Sequence, residues 1–310
     1  MTAAFARRSP AAVLAALATV YLVWGSTYLA MRITDRSMPP LLMSSARFLV
    51  AGTVLYVLTA RGYRPARREW VAAAIAGTAL LGIGNVGVAW AETRLDSGLA
   101  ALIVASIPLY VALFDRVLFG RRLSPLAVAG LIVGFAGVAL LVRPGGTAHA
   151  GVALILLGTT SAWAAGSLYA RGAPLPENPL VAAAMQMLCA GVVVSIAGLA
   201  GGEAGQVHAR AFTAEPLLAF GYLVVFGSLL AFSAYAWLLK NVRISTVATY
   251  AFVNPVVAVA LGAGFLGEPV TWTTGIAGAA IVLAVVLIVS AKAPRARPAL
   301  AVRRPATLTS

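Results

Sequence analysis

An aromatic face runs along the first apolar stretch of the sequence, in the segment YLVWGSTYLAMR. Tyr21, Trp24 and Tyr28 are spaced i, i+3 and i+7, so they share one face of a helix. Tryptophan and tyrosine usually favour the membrane interfaces, whereas Trp24 falls near the centre of its stretch. This face therefore suits contact with a small molecule in a cavity, and aromatic packing between helices is the alternative. Gly25 and Ser26 beside it suit close helix approach or hydrogen bonding across a helix interface.

Arg47 is the one charged residue that falls well inside an apolar stretch. Charges within a membrane are costly and usually face an aqueous cavity or a partner, so Arg47 is a candidate ligand for a carboxylate or phosphate. The alternative is that its long side chain extends to the membrane surface. Asn85 and Asn254 add neutral donors and acceptors, and Gln186 takes the place of Arg47 in the internal repeat described below.

Pro108 and Pro255 each fall near the middle of an apolar stretch. Each removes one backbone hydrogen bond and thereby frees the carbonyl group of Val104 or Ala251. Interruptions at matching positions of two repeats indicate a binding site or a hinge in transporters, and a tolerated kink is the alternative. We predict that both prolines mark a helix kink or hinge.

Groups for catalysis, metal binding or proton transfer are scarce in the apolar stretches. The two histidines, His149 and His208, fall in predicted loops, so the sequence predicts no Ser–His pair, no metal site, no cofactor and no enzyme. A buried carboxylate is the usual proton relay of a coupled transporter, and here the acidic residues lie at the ends of the stretches. Proton coupling therefore has little support, and a facilitator or exchanger fits as well. The acidic residues concerned are Glu92, Asp96, Asp115 and Glu268.

Ten apolar helices are predicted to position these residues. Of the 310 residues, 61% are hydrophobic and only 10% are charged, well below the quarter that is usual for a soluble domain. Each stretch approaches the ~20 residues that cross a bilayer, which predicts an all-α polytopic membrane protein. The predicted helices are Ala11–Ile33, Pro40–Ala60, Trp70–Ala91, Ser97–Leu118, Pro125–Val142, Ala150–Ala170, Pro179–Ala200, Ala214–Leu238, Ser245–Leu266 and Thr271–Ala291.

Lysine and arginine residues divide unequally between the two sides of the predicted bundle. Seventeen of the 23 fall on the side of both termini and five on the other, while Arg47 lies within a helix. The positive-inside rule then predicts that both termini are cytoplasmic. The net charge of +14 is explained by this topology, so no nucleic-acid partner is predicted. Residues 1–10 form a cytoplasmic segment, and the basic tail 292–310 has the composition of a disordered segment.

The second half of the sequence repeats landmarks of the first. The aligned pairs are Trp24 with Trp163, Leu49 with Leu188 and Gly52 with Gly191 at an offset of 139 residues, and Trp90 with Trp237, Pro108 with Pro255 and Gly120 with Gly267 at an offset of 147. Each half contains five helices, an odd number, so the second copy enters the membrane from the opposite side. This predicts two inverted repeats, residues 11–142 and 150–291, with a substrate site between them near the middle of the membrane.

Three segments resemble the EamA family of the drug/metabolite transporter superfamily. They are VWGSTYLAMR, SIPLYVALFDRVLFGRRLSPLAVAGLIVGFAGVALL and NPVVAVALGAGFLGEPVTW. The resemblance covers about Ala11 to Ser290 as two EamA units, and it implies a ten-helix inner-membrane carrier that usually exports amino acids or related metabolites. Pro255, Gly267 and Glu268 match the family's pattern in the second unit, whereas the first unit has Arg121 at the position of Glu268.

These patterns together predict an inner-membrane secondary transporter that exports amino acids or related small metabolites by alternating access. The alternatives are a transporter of hydrophobic or amphipathic drugs or lipids, and a membrane-embedded assembly protein. The predicted partners are a small-molecule substrate and the lipid bilayer. The predicted substrate-binding residues are Trp24, Tyr28, Arg47, Asn85, Trp90, Trp163, Gln186, Trp237, Tyr250 and Asn254.

Overall fold

The computed structural model describes residues 9–120, 124–142, 150–208 and 212–290, and these residues form ten helical spans and no β-strand. Seven of the spans have at least 18 residues and are apolar enough to cross a membrane. We number the spans α1 (Pro10–Thr34), α2 (Pro40–Thr59), α3 (Arg67–Glu92), α4 (Ser97–Val104 and Ile107–Phe119), α5 (Pro125–Val142), α6 (Ala150–Gly172), α7 (Pro179–Ala200), α8 (Ala214–Asn241), α9 (Ile244–Val247 and Tyr250–Leu266) and α10 (Trp272–Ser290).

The helix boundaries lie within three residues of the predicted ones wherever the structure describes them. The largest differences are at the start of α3 and the end of α8, which each extend three residues further than predicted. The α3 helix begins earlier because the Glu69 carboxylate accepts a hydrogen bond from the backbone N–H of Ala66 at 2.7 Å and so caps the first turn. The α8 helix ends later because the Asn241 amide donates to the carbonyl of Trp237 at 2.7 Å. The predicted tail and the predicted end of the last helix, Ala291, lie outside the described residues.

The two five-helix halves pack with an approximate twofold relation. The α2 helix packs against α7 and α5 packs against α10, and each of these pairs joins equivalent helices of the two halves. The α1 helix packs against α8 and α9, while its equivalent, α6, packs against α3 and α4. These reciprocal contacts confirm the predicted architecture of ten helices in two inverted repeats.

The contact between α2 and α7 shows the twofold relation at the level of single residues. A Cβ atom on Gly52 would lie 3.0 Å from the side chain of Leu188, and a Cβ atom on Gly191 would lie 2.7 Å from the side chain of Leu49. Both glycines therefore permit the close approach of two helices. These four residues are the two pairs that align in the sequence at the offset of 139.

Four helices are irregular, and they form two equivalent pairs between the halves, α3 with α8 and α4 with α9. Thr78–Asn85 in α3 and Leu223–Phe232 in α8 are wound as π-helix, and the first segment maps onto residues 225–232 at the offset of 147. The α4 and α9 helices are each interrupted, at residues 105–106 and 248–249 respectively. Such π-helical turns and broken helices occur often at functional sites, so the region around them is where a site is expected.

The two aligned prolines lie at different positions relative to the breaks. Pro108 is in the first turn of the second segment of α4, directly after the break, where its missing N–H would have no helical partner. Pro255 lies inside the continuous second segment of α9, downstream of the break. Both segments nevertheless end alike, because Gly120 and Gly267 adopt the left-handed conformation with φ of +64° and +65°.

Candidate functional site

A cavity lies between the two halves, where α1, α3 and α4 meet α6 and α9. It contains about 460 Å³ of empty space, a volume that includes the open space at its mouth. Val104 and Ile107, on either side of the break in α4, line it. Six of the ten predicted binding residues also line it, namely Trp24, Tyr28, Asn85, Trp163, Tyr250 and Asn254.

An aromatic cluster forms one wall of the cavity. The rings of the repeat-related residues Trp24 and Trp163 pack edge to face, with their centroids 5.4 Å apart. The rings of Tyr235 and Tyr250 lie 4.9 Å and 5.5 Å from that of Trp24. Trp163 Nε1 also donates to the Tyr235 hydroxyl at 3.2 Å, so Tyr235, which the sequence did not single out, fixes the orientation of a predicted residue. Gly84 provides room for this wall, since a Cβ atom there would lie 2.8 Å from the Trp163 ring.

Some polar groups at the cavity already have hydrogen-bond partners in the protein, and one does not. Trp24 Nε1 donates to the backbone carbonyl of Gly227 in the π-helical part of α8 at 3.3 Å. The Asn254 amide is satisfied when its NH₂ group faces the carbonyl oxygens of Tyr21 and Tyr250, at 3.0 Å and 3.2 Å. The hydroxyl group of Tyr250, by contrast, is buried and has no hydrogen-bond partner among the described residues. A ligand in the cavity is therefore the natural partner for that hydroxyl.

Arg47 lies behind the cavity wall and is only 2% exposed. Its Nε donates to the Ser228 hydroxyl at 2.7 Å, and its Nη1 donates to the amide oxygen of Asn85 at 3.3 Å. The side chain therefore does not extend to the membrane surface, and it adjoins the cavity through Asn85 rather than lining it. Arg47 forms no ion pair within the described ranges. A buried cation without a counter-ion favours an anionic group in the neighbouring cavity.

Three predicted binding residues lie away from this cavity. Trp90 is half-buried near the end of α3, and the guanidinium group of Arg94 lies 4.2 Å from its ring centre. Trp237 is half-buried near the end of α8, and because the repeats are inverted this end is on the opposite side of the bundle. Gln186 is buried and lines a second cavity, with about 490 Å³ of empty space including its opening, which Lys240 also lines. The structure thus places these three residues apart from the six that line the central cavity.

Carboxyl groups gather at one end of the bundle, which we call the carboxylate end and define by Asp35, Glu92, Glu203 and Glu268. The side chain of Glu92 is completely buried, and neither of its carboxyl oxygens has a partner within the described residues. The sequence placed Glu92 at the end of an apolar stretch and did not predict this burial. Glu92 is enclosed because the last segment of α3, Val86–Glu92, packs against α1, α2, α4 and α6.

Two further carboxylates connect loops of the second half to helices of the first half. Glu268 accepts hydrogen bonds from the backbone N–H and the hydroxyl of Ser97 at the start of α4, at 2.9 Å and 2.8 Å. Glu203 accepts from the backbone N–H of Leu42 at the start of α2, at 2.9 Å. Both carboxylates satisfy unpaired N–H groups at a helix N-terminus and are favoured by the helix dipole. Arg121, the sequence counterpart of Glu268, lies outside the described residues.

The family model of the EamA-like transporter family matches residues 10–143 and again residues 149–290. This chain belongs to the EamA-like transporter family. The two matched regions correspond to the two five-helix halves, and the site between them is therefore formed by two EamA units. The chain is 42% identical over 287 residues to "Uncharacterized inner membrane transporter YedA" of Escherichia coli strain K12, a match that covers 89% of this chain and 90% of that protein.

A more distant relative is named "Probable terminal-alkyne amino-acid exporter" in Streptantibioticus cattleyicolor. It is 25% identical over 286 residues, covering 89% of this chain and 92% of that protein. A solved crystal structure has a TM-score of 0.65 with this chain at 23% identity and covers 90% of this chain and 96% of its own, which shows the same fold. This EamA protein is thus a multi-pass membrane transporter.

Proposed function

We propose that this EamA-like transporter exports amino acids or related small metabolites across the inner membrane by alternating access. The observation that carries the proposal is the cavity between the two halves, which is lined by residues beside the breaks in α4 and α9. Secondary transporters built from inverted repeats bind their substrates at such a position, and one repeat rocks against the other around it. The names of the two relatives support the inner membrane and the amino-acid class of substrate.

The chemistry of the cavity suits a zwitterion with an apolar side chain. The aromatic cluster offers ring faces to an apolar side chain and a cation–π surface to an ammonium group. The hydroxyl of Tyr250 is a free donor, and the charge of Arg47 behind Asn85 attracts a carboxylate. A neutral hydrophobic drug would use the rings but would gain nothing from Arg47, whereas the phosphate of a lipid would be attracted by its charge. Dependence on Arg47 therefore distinguishes amino acids from neutral drugs, and the movement of a labelled lipid distinguishes the lipid alternative.

We further infer that both termini are cytoplasmic, so that the carboxylate end faces away from the cytoplasm. The support is the division of lysine and arginine residues, with seventeen on the side of the termini and five on the other. Cytoplasmic loops of membrane proteins carry such an excess of positive charge. The carboxylate end is then the end through which an exported substrate leaves.

Counterflow in lipid vesicles tests the proposed function. Purified protein is reconstituted into vesicles loaded with unlabelled amino acids, and the uptake of a labelled amino-acid mixture is measured. Trp24→Ala removes ~1–3 kcal/mol of buried aromatic contact, so the half-saturating concentration should rise about 5- to 150-fold. Trp272→Ala is the matched control, because Trp272 is 89% exposed and should not affect uptake.

Two outcomes would contradict the proposal. If vesicles with the wild-type protein showed no amino-acid counterflow but moved a lipophilic dye or a labelled lipid, the result would favour the drug or lipid alternative. Unchanged half-saturation in Trp24→Ala together with lowered thermal stability would mean that the aromatic cluster only packs the helices together.

A further inference from the structure

Two carboxyl groups at the carboxylate end have no partner. Glu92 is 0% exposed, and both of its oxygens, like both oxygens of Asp35, are buried without a hydrogen bond to any described residue. Burying an ionised carboxylate without a partner costs several kcal/mol, so a group in this situation takes up a proton instead. The described residues contain no cluster of three or more His, Cys, Asp or Glu that could hold a metal ion. The ligand that suits this pair is therefore a proton.

Arg32, the cation that interacts with Glu92, is engaged with other groups. Arg32 on α1 donates through Nη1 to the backbone carbonyl of Glu92, and its Nη2 lies 3.9 Å from the Asp96 carboxylate at the start of α4. Glu268, in the loop between α9 and α10, lies near Glu92 and accepts a hydrogen bond from the backbone N–H of Ser97 at the start of α4. The surroundings of Glu92 therefore favour its neutral form.

Asp35, in the loop between α1 and α2, is in a similar environment. Burial raises the pKa of Asp35 to about 8, with Arg32 acting to lower it and the charge of Glu203 adding to the rise. Burial and the charge of Glu268 also raise the pKa of Asp96, which Arg32 again opposes. Asp35 and Asp96 thus bind protons more tightly than carboxyl groups in water do.

Glu92 lies next to the substrate cavity. It is one helical turn beyond Val88, which lines the cavity from α3. On α1, Arg32 is likewise one turn beyond Tyr28, another lining residue. A movement that opens the carboxylate end to let a substrate leave would therefore bring water to Glu92 as well.

We propose that Glu92 is a proton-binding site, with Asp35 as its neighbour, and that the carboxylate end closes over the cavity only when Glu92 is protonated. The proposal rests on the proposed function, because it adds one proton to the alternating-access cycle. On closure, a proton from the outer solution binds to a carboxyl oxygen of Glu92, and the neutral group is enclosed. On opening, water solvates the group, the O–H bond breaks, and the proton returns to the outer solution. Export then depends on the external pH.

Infrared spectroscopy tests the protonation without any transport substrate. Wild-type protein in lipid at neutral pH should show the C=O stretching band of a protonated carboxyl, and this band should shift in D₂O. Glu92→Gln should remove part of the band, whereas Glu215→Gln, which changes an exposed carboxylate, should leave it intact. A wild-type spectrum without the band would overturn the proposal whether or not any variant folds. An unchanged band in Glu92→Gln would overturn it as well.

Counterflow of the labelled amino-acid mixture tests the coupling to closure. The wild-type rate should fall as the external pH rises, by at most about tenfold per pH unit because one proton is involved. Glu92→Gln is always neutral at this position and should lower the dependence of the rate on external pH, with Asp35 accounting for what remains, while Glu215→Gln should keep the wild-type profile. A flat wild-type profile, or an unchanged wild-type profile in Glu92→Gln, would refute the role in closure. Wild-type vesicles without any counterflow would refute the proposed transport instead, and the infrared band would still report the proton site.

Discussion

Replacing Arg47 by methionine should separate substrate binding from stability. Methionine has a similar length but no charge, so Arg47→Met removes the donors to Ser228 and Asn85. Each charge-assisted hydrogen bond contributes ~1.5–3 kcal/mol. The same change removes a buried guanidinium without a counter-ion, whose burial costs several kcal/mol. Because these two effects oppose each other and have similar size, the melting temperature in detergent should fall little or should rise.

Substrate affinity should fall in the same variant. The Asn85 side chain separates the guanidinium group from the cavity, so a substrate carboxylate would lie roughly 7 Å away. At an effective dielectric constant of about 20, the attraction across that distance is ~2 kcal/mol, and its loss weakens binding about thirtyfold. Amides and esters of the same amino acids carry no carboxylate and should lose much less affinity. Arg47→Lys retains the charge, so it should retain most of the preference for acids although it loses the planar geometry.

Competition in the counterflow assay provides the measurement. Unlabelled amino acids and their amides are compared as competitors of labelled uptake, for the wild type, Arg47→Met and the control Arg94→Met. Arg94 is exposed and stacks on Trp90 away from the cavity. Its replacement should therefore change neither the affinity for amino acids nor the affinity for their amides. Equal losses for acids and amides in Arg47→Met would refute the electrostatic role. A strongly destabilised Arg47→Met protein with unchanged affinity would show that the side chain serves only to hold α2, α3 and α8 together.

Two further predictions concern the carboxylate end and the orientation. Burial raises the pKa of Asp35 from 3.8 to about 8, so its ionisation destabilises the folded state increasingly as the pH rises through that interval. Asp35→Asn should therefore raise the melting temperature. The gain should be absent near pH 4 and largest at about pH 8 and above. A variant that melts at a lower temperature than the wild type at about pH 8 would contradict this account. A reporter that is active only in the periplasm and is fused after Ser310 should give no signal, and a strong signal would reverse the proposed orientation.

Much of the architecture could be predicted from local patterns in the sequence. The apolar stretches predicted ten helices because each has about the length of a bilayer, and the repeat predicted how the halves pair. Trp24 and Trp163 align at an offset of 139 and contact each other edge to face in the structure. A residue that lies near the approximate twofold axis between the halves can contact its equivalent in the other half. For this reason the repeat alone could place Trp24 beside Trp163.

The sequence did not predict the positions of some residues correctly. These residues either come after a π-helical segment or are buried by helices that are distant in the sequence. Trp90 and Trp237 each come after a π-helical segment, and such a segment rotates the helix face that follows it. A single sequence gives no sign of this rotation, so it did not show that these residues lie off the cavity. Tyr235 also follows a π-helical segment and was missed for that reason. For Glu92, the i, i+4 spacing from Val88 was an available signal, but its burial results from packing against four other helices.

The two halves share their packing but differ in charge at equivalent positions. Glu92 corresponds to Leu239 at the offset of 147, and Arg47 corresponds to Gln186 at the offset of 139. Leu239 is buried, so at this position the opposite end of the bundle encloses a neutral side chain where the carboxylate end encloses the titratable Glu92. Two identical inverted halves would close their two ends at equal free energy. In the role proposed for Glu92, each pH unit above the pKa of this group adds about 1.4 kcal/mol to the free energy of closing the carboxylate end. The free energy of closing the opposite end does not change. External pH would then set the ratio of the two states of the transporter, because it acts on one closure and leaves the other unchanged.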